Sequence, residues 1–368
     1  MLNAMLSRRD FLRLNVLLGG AVMIAPSLSA CTAGNDYETQ IGKTWETLGQ
    51  DKEPEMKEII RYATLAANSH NSQPWKFAVR EDLIEIHPDY TRRLPVVDPD
   101  DRSLWISLGC ALENLLLAAR AQGYQGEVTL PNHLSELISV KLTAISVYID
   151  PLVQYIPLRQ NTRSEYLSEM IKIEAIRKVQ ATSLEPGTGL EFILNPGRME
   201  SVIEYVNAGN LQQYANPAFV QELIYWLRFN EREALASMDG LFSRCSGNPT
   251  VPRLLGKMFV SGTKPAKQAD SDAKKLRSSI GAVILTSEKD DRASWVKVGR
   301  LYQRLALNMT TYDIKSALLN QPIEVSEIRP QFQSAMNLGE KIPQLLVRFG
   351  YAPLMAKSLR RPVEQVLV

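Results

Sequence analysis

The chain has 368 residues, 45% hydrophobic and 22% charged, the make-up of a globular protein with a sizeable core rather than of a disordered one. Its 42 basic and 40 acidic residues leave a net charge of +2 with no long block of either sign beyond the N-terminus, which excludes nucleic acid as an expected partner and favours small molecules. The dispersed Cys31, Cys110 and Cys245 and His70, His87 and His133 form no CxxC or HExxH pair, and GxSxG, Walker and GxGxxG motifs are absent, so zinc, hydrolase, NTPase and Rossmann chemistries are disfavoured.

The N-terminus reads as an export signal. Ser7-Arg8-Arg9-Asp10-Phe11-Leu12-Arg13 precedes an apolar run over residues 14–30 that is short for a membrane span and broken by Gly19, Gly20 and Pro26. The paired arginines resemble a twin-arginine signal, whose pathway carries folded proteins across the inner membrane. Leu28-Ser29-Ala30-Cys31 resembles a lipoprotein processing site, with Cys31 as the acylated first residue of the mature chain. The alternatives are an uncleaved signal anchor, or cleavage near Ala30 with Cys31 unmodified. The expected location is periplasmic, with a membrane anchor at Cys31 and the twin-arginine machinery as a transient partner.

Residues 1–31 are thus a signal peptide, and the polar stretch 32–54 reads as a tether. A helix is expected over 56–67, where Met56, Ile59, Ile60, Ala63 and Ala67 share one face. Runs 75–79 and 83–87 around Arg80-Glu81-Asp82 predict a β-hairpin. Asp98-Pro99-Asp100-Asp101 opens a helix in which Leu104, Leu108, Leu112, Leu115, Leu116 and Ala119 keep a helical period up to Gly123. A strand over 141–149 follows. The second half repeats the plan, with a strand over 189–194, helical sequence over 199–235 broken near Asn216-Pro217, a buried strand over 280–286 and a helix whose face holds Trp295, Val298, Tyr302, Leu305 and Met309. Residues 241–272 read as a lid-like excursion, 343–349 as a strand and Ser358-Leu359-Arg360-Arg361-Pro362 as a basic turn. The layout of 298–322 matches that of 108–131, which predicts a diverged internal duplication, with chance similarity of two amphipathic helices as the alternative.

Four segments carry a family resemblance. Asn68-Ser69-His70-Asn71-Ser72-Gln73-Pro74-Trp75 is similar to the Asn-x-Gln-Pro-Trp loop that nitroreductases place against their flavin. It is followed by Asp101-Arg102-Ser103 with the Ile106 to Leu116 helix, by Ile156-Pro157-Leu158-Arg159-Gln160-Asn161-Thr162-Arg163-Ser164-Glu165-Tyr166, and by 343–351 with the Arg360-Arg361-Pro362 turn. In that order they resemble the Acg-like branch of the nitroreductase superfamily. The resemblance implies an α+β, nitroreductase-like fold of two tandem modules, 55–165 and 166–368, around central helices and mixed β-sheets. It also implies a monomer that imitates the family's dimer.

The implied cofactor is FMN, loaded before export. Amides such as Asn71 and Gln73, flanked by His70 and Ser72, can meet the alternating donors and acceptors of a flavin's pyrimidine edge; a polar turn into a hairpin is the alternative. Arg360 and Arg361 offer guanidinium forks for the phosphate, with Arg361 favoured; a solvated basic turn is the alternative. Arg159 and Arg163 fit cofactor binding, a clamp on an acidic substrate or a tie between the halves. The sequence departs from the wider family in lacking an N-terminal phosphate-binding arginine cluster over 39–57. No catalytic side chain is required, since the flavin would take hydride from NAD(P)H and reduce a nitro, quinone or other unsaturated acceptor. The competing expectation is an exported flavin-binding or flavin-sequestering protein without turnover; a third is an interaction protein on a decayed fold.

Overall fold

The computed structural model describes residues 27–48 and 56–368, so the twin-arginine segment lies outside the described residues. In chain order the main elements are helix α1 (Ser27–Thr44), α2 (Met56–Thr64), strands β1 (Trp75–Arg80) and β2 (Leu83–Pro88), α3 (Arg102–Ala121), β3 (Tyr124–Thr129) and β4 (Ile138–Ala144). The second half supplies β5 (Thr188–Ile193), α4 (Pro196–Ala215), α5 (Pro265–Arg277), β6 (Gly281–Ser287), α6 (Arg292–Thr311), β7 (Lys315–Leu318) and β8 (Ile342–Gly350).

The two halves share one topology. Each has a four-stranded sheet, ordered β1-β2-β4-β3 in the first and β5-β6-β8-β7 in the second, which is the same first-second-fourth-third order. Each inserts a 20-residue helix between its second and third strands. Both sheets are antiparallel throughout, so the expectation of mixed sheets is corrected; among the described residues parallel pairing is confined to the short Leu227–Arg228 and Leu241–Phe242 pair and to isolated bridges. Between β5 and β6 the second half carries residues 194–280, where the first half has a two-residue turn; that insertion accounts for most of the size difference.

The central helices meet glycine to glycine. A Cβ built on Gly109 would lie 2.1 Å from the Val296 carbonyl oxygen, and one on Gly299 would lie 2.0 Å from that of Ile106. Val296 and Ile106 each stand three residues before the opposing glycine, so the contact is reciprocal, as at a two-fold axis. A single hydrophobic core surrounds it, drawing Trp75, Leu108 and Leu112 from one half and Val298, Tyr302 and Val347 from the other. α3 is therefore a core helix, although it is long and apolar enough to cross a membrane.

Three expectations change. The supposed tether is largely the helix α1, and Tyr37 and Trp45 within or just after it are buried; large aromatics that find an apolar partner dock a segment whose average composition is polar. The strand expected over 141–149 ends at Ala144, and β3 and β7 are additional. The last part of the expected lid, 265–272, belongs to α5, which packs on α4 just beyond it through Ala273 and Leu276, against the outer face of the second sheet.

Each half also sends a tail into the other. Phe77 N–H donates to the Val366 carbonyl at 2.7 Å and Val368 N–H to that of Phe77 at 3.0 Å, which joins the chain's last residues to β1. Thr162 N–H donates to the Ser316 carbonyl at 2.9 Å, tying the first half's tail to β7. These crossing tails bring 156–163 and 355–361 beside the Asn68–Gln73 loop.

Candidate cofactor site

The loop after α2 is wound tightly. His70, Asn71 and Gln73 all have positive φ, at 50°, 52° and 53°, a conformation that costs side-chain-bearing residues roughly 1 kcal/mol or more each. Asn68 closes the loop by accepting at Oδ1 from Gln73 N–H at 2.9 Å, and Pro74 then sets the direction into β1, where Trp75 is fully buried. Three left-handed residues in four is a conformation the surroundings must enforce.

The surroundings are the C-terminal tail. Arg360 Nη1 donates to Asn71 Oδ1 at 2.8 Å, while its Nε and Nη2 reach the carbonyls of Thr64 and Ala66. Asn71 Nδ2 donates to the carbonyls of Gly240 and Leu359, both at 3.1 Å. Gln73 donates through Nε2 to the Met238 carbonyl and accepts the Arg361 N–H, and the Arg361 guanidinium donates to the carbonyls of Gln73 and Trp75. The early amides and late arginines therefore bond directly to each other.

Beside them opens a cleft. Its cationic lining is Arg159, Arg163, Lys357 and Arg360, and among the described residues no aspartate or glutamate lines it. Asn68, Asn71, Gln160 and Asn161 supply amides, and Trp45 and Phe242 supply aromatic wall. Arg360 and Lys357 stack on the Trp45 ring at 5.0 and 5.1 Å from its centroid. Arg159 gives one hydrogen bond, to the Leu65 carbonyl at 3.2 Å, and its buried Nε has no partner. Arg163 makes no side-chain hydrogen bond or ion pair among the described residues.

Burial pushes all four cations below their ordinary values, Arg360 to about 9, with Arg159 adding repulsion to both Arg360 and Lys357. Packing four cations together without a carboxylate is unfavourable in itself, and an anion in the cleft would reverse that sign. Burial, and secondarily Arg163, lowers His70 to about 4, so its imidazole is neutral near pH 7; its Nδ1 lies 3.3 Å from Ser69 Oγ.

Of the six residues singled out from sequence, Asn71 and Arg360 line the cleft, whereas His70, Ser72, Gln73 and Arg361 are absent from its lining. Ser72 is buried and its carbonyl accepts from Arg92, and Arg361 serves as a clasp on the loop. Arg102, in the second of the segments that carry the resemblance, is buried and donates to the Gln344 carbonyl. Lys357, Asn161 and Trp45 were not anticipated; Trp45 in an otherwise polar stretch was the one available signal.

No family model matches the chain. A Mycobacterium tuberculosis protein provisionally named an NAD(P)H nitroreductase is 25% identical over 326 residues, covering 85% of this chain and 90% of that protein. A second from the same organism, provisionally named NAD(P)H nitroreductase acg, is 22% identical over 327 residues, covering 84% and 94%. The solved FMN-dependent nitroreductase NfnB of Mycobacterium smegmatis, in complex with NADPH, aligns over 53% of this chain and 84% of its own, at 13% identity and a TM-score of 0.34.

Proposed function

We propose that the chain is an FMN-dependent oxidoreductase of nitroreductase type, which takes hydride from NAD(P)H and reduces a nitro, quinone or other unsaturated small molecule. The observation that carries this reading is the cleft with four cations, no carboxylate, and flanking amides and aromatics. The names of the relatives, which extend along most of this chain, support the same chemistry.

The residues present fit FMN. Arg159, Arg163 and Lys357 would hold the phosphate, with Arg163 as the guanidinium that has no hydrogen-bond or ion-pair partner among the described residues; this is a site the N-terminal stretch 39–57 does not supply. Asn161 would offer its amide nitrogen to the polar edge of the ring system, its oxygen being taken by the Tyr302 hydroxyl, and Trp45 and Phe242 would exclude water beside it. When bound, the flavin supplies the acceptance and delivery of hydride. The protein's part is orientation and electrostatics: neutral His70 adds no further positive charge, and Arg360 holds the loop while contributing to the cleft's potential.

Flavin released on denaturing the purified chain, followed by oxidation of NAD(P)H with a nitroaromatic or quinone acceptor, tests this reading. A colourless protein overturns it. Bound flavin without turnover supports the sequestering alternative.

We also propose that the twin-arginine segment exports the folded chain to the periplasm and that Cys31 is acylated as a membrane anchor, the fused chain acting as a monomer. Retention of an Arg8→Lys, Arg9→Lys variant in the cytoplasm is the expected result, and normal export of that variant rejects it.

A further inference from the structure

Helix Arg253–Ser261 is turned inside out. Its Gly256 faces inward, where an added Cβ would lie 2.2 Å from the Phe229 ring, while Leu254, Leu255 and Met258 face outward at 72%, 42% and 63% exposure. Positions 254, 255 and 258 share one face of a helix. The neighbouring helix Pro217–Trp226 adds Tyr225, itself 66% exposed. A contiguous apolar face of this kind, outward on a helix, marks a contact surface.

Its charge points to the partner. Residues 241–269 contain no carboxylate and five cations. Arg244 and Arg253 are neutralised by Glu231 and Glu233, whereas the exposed Lys257, Lys264 and Lys267 make no ion pair among the described residues. An apolar stripe flanked by uncompensated lysines matches an anionic lipid surface: alkyl and aromatic groups enter the headgroup boundary and ammonium groups meet phosphates.

The route of the N-terminus agrees. Helix α1, which continues from the apolar run over 14–30, rests on the segment that also supports the exposed helix. Tyr37 packs on Phe242 at 5.0 Å between ring centroids and Glu38 pairs with Arg244, while Gly256 and Arg253 rest on Phe229 and Glu233. A chain held at a bilayer by its N-terminus would carry this helix with it.

We propose that the Arg253–Ser261 helix, with Tyr225, docks on the surface of an anionic bilayer as a second membrane contact. The inference does not draw on the flavin reading; from the export reading it takes only the attachment of the N-terminus to a membrane. Two weak contacts together anchor more firmly than either alone.

The test uses the full chain reconstituted into vesicles of phosphatidylcholine alone or with one quarter phosphatidylglycerol. An environment-sensitive dye is placed on Met258→Cys, and the unsubstituted chain is labelled in parallel as background. The expected result is blue-shifted emission, quenched by brominated lipid, in the anionic vesicles. Replacing Lys257, Lys264 and Lys267 with Gln should lower the docked-to-free ratio about fivefold per lysine without altering the melting temperature. Vesicle-bound protein whose dye keeps its aqueous emission overturns the proposal. So does a blue shift that brominated lipid leaves unquenched, which would mean a protein partner or self-association. A chain that fails to associate with either vesicle refutes the N-terminal anchor, and soluble chain added to anionic vesicles then tests the helix by itself through the same quenching.

Discussion

Arg360 donates to the side-chain oxygen of Asn71 at 2.8 Å, although 289 residues of chain separate them. The contact joins the tail of the second half to the loop of the first and helps hold Asn71 at a positive φ. It also engages two groups that a flavin could otherwise recruit. Under the proposed function, flavin affinity would rest mainly on Arg159 and Arg163 beside them.

Arg163→Ala should lower flavin affinity about 10- to 100-fold, the value of a charge-assisted bond to phosphate, and leave the apoprotein as stable or slightly more stable. Arg361→Ala should do the opposite, destabilising the apoprotein by about 1–3 kcal/mol because the Gln73 and Trp75 carbonyls lose their donor. Flavin titration alongside chemical denaturation of the two apoproteins separates these roles. Equal loss of stability in both variants counts against the assignment of Arg163 to the ligand.

Gly109→Ala and Gly299→Ala should each force the central helices apart, since the new methyl would overlap a backbone carbonyl at about 2 Å. Backbone cannot yield as a flexible side chain does, so a loss of at least about 3 kcal/mol is expected. Thermal melting of the single variants measures it; a change of only a degree or two would mean the interface is looser than the geometry indicates.

His70 gives a pH dependence of known sign. Its folded value, near 4, lies below the ordinary 6.5 of an exposed imidazole, so between those limits the unfolded chain binds more protons and stability falls as pH falls. Above about pH 6.5 the effect vanishes. His70→Gln should flatten that part of the stability profile, which denaturant titrations from pH 4 to 8 would reveal.

Glu324 acts in the reverse direction. Burial raises its carboxyl to about 7, while Gln213 donates to it at 2.8 Å. Its folded value exceeds its unfolded one, so stability declines as pH rises from about 4.5 through 7. Glu324→Gln should accordingly stabilise the chain at pH 8 and have little effect at pH 4.5, as read from melting temperatures at the two values.

Much of the architecture was legible in sequence because it rests on local periodicity. The run from Leu104 to Ala119 and the face holding Trp295, Val298 and Tyr302 announce the two central helices, and the runs around Glu81 announce the hairpin. The matched glycines, Gly109 and Gly299, disclosed the repeat, since close helix approach admits no larger residue. The Asn68–Gln73 loop and the terminal arginines were likewise identifiable as residue types suited to anion and amide recognition. What sequence could not decide was which groups those side chains would satisfy. Gln73 and Arg361 bind each other and the backbone, whereas Arg159, Arg163 and Lys357 share a cleft without a carboxylate. That division follows from the crossing of two tails between halves, a matter of long-range strand pairing for which no local pattern codes, and only the tertiary structure fixes it.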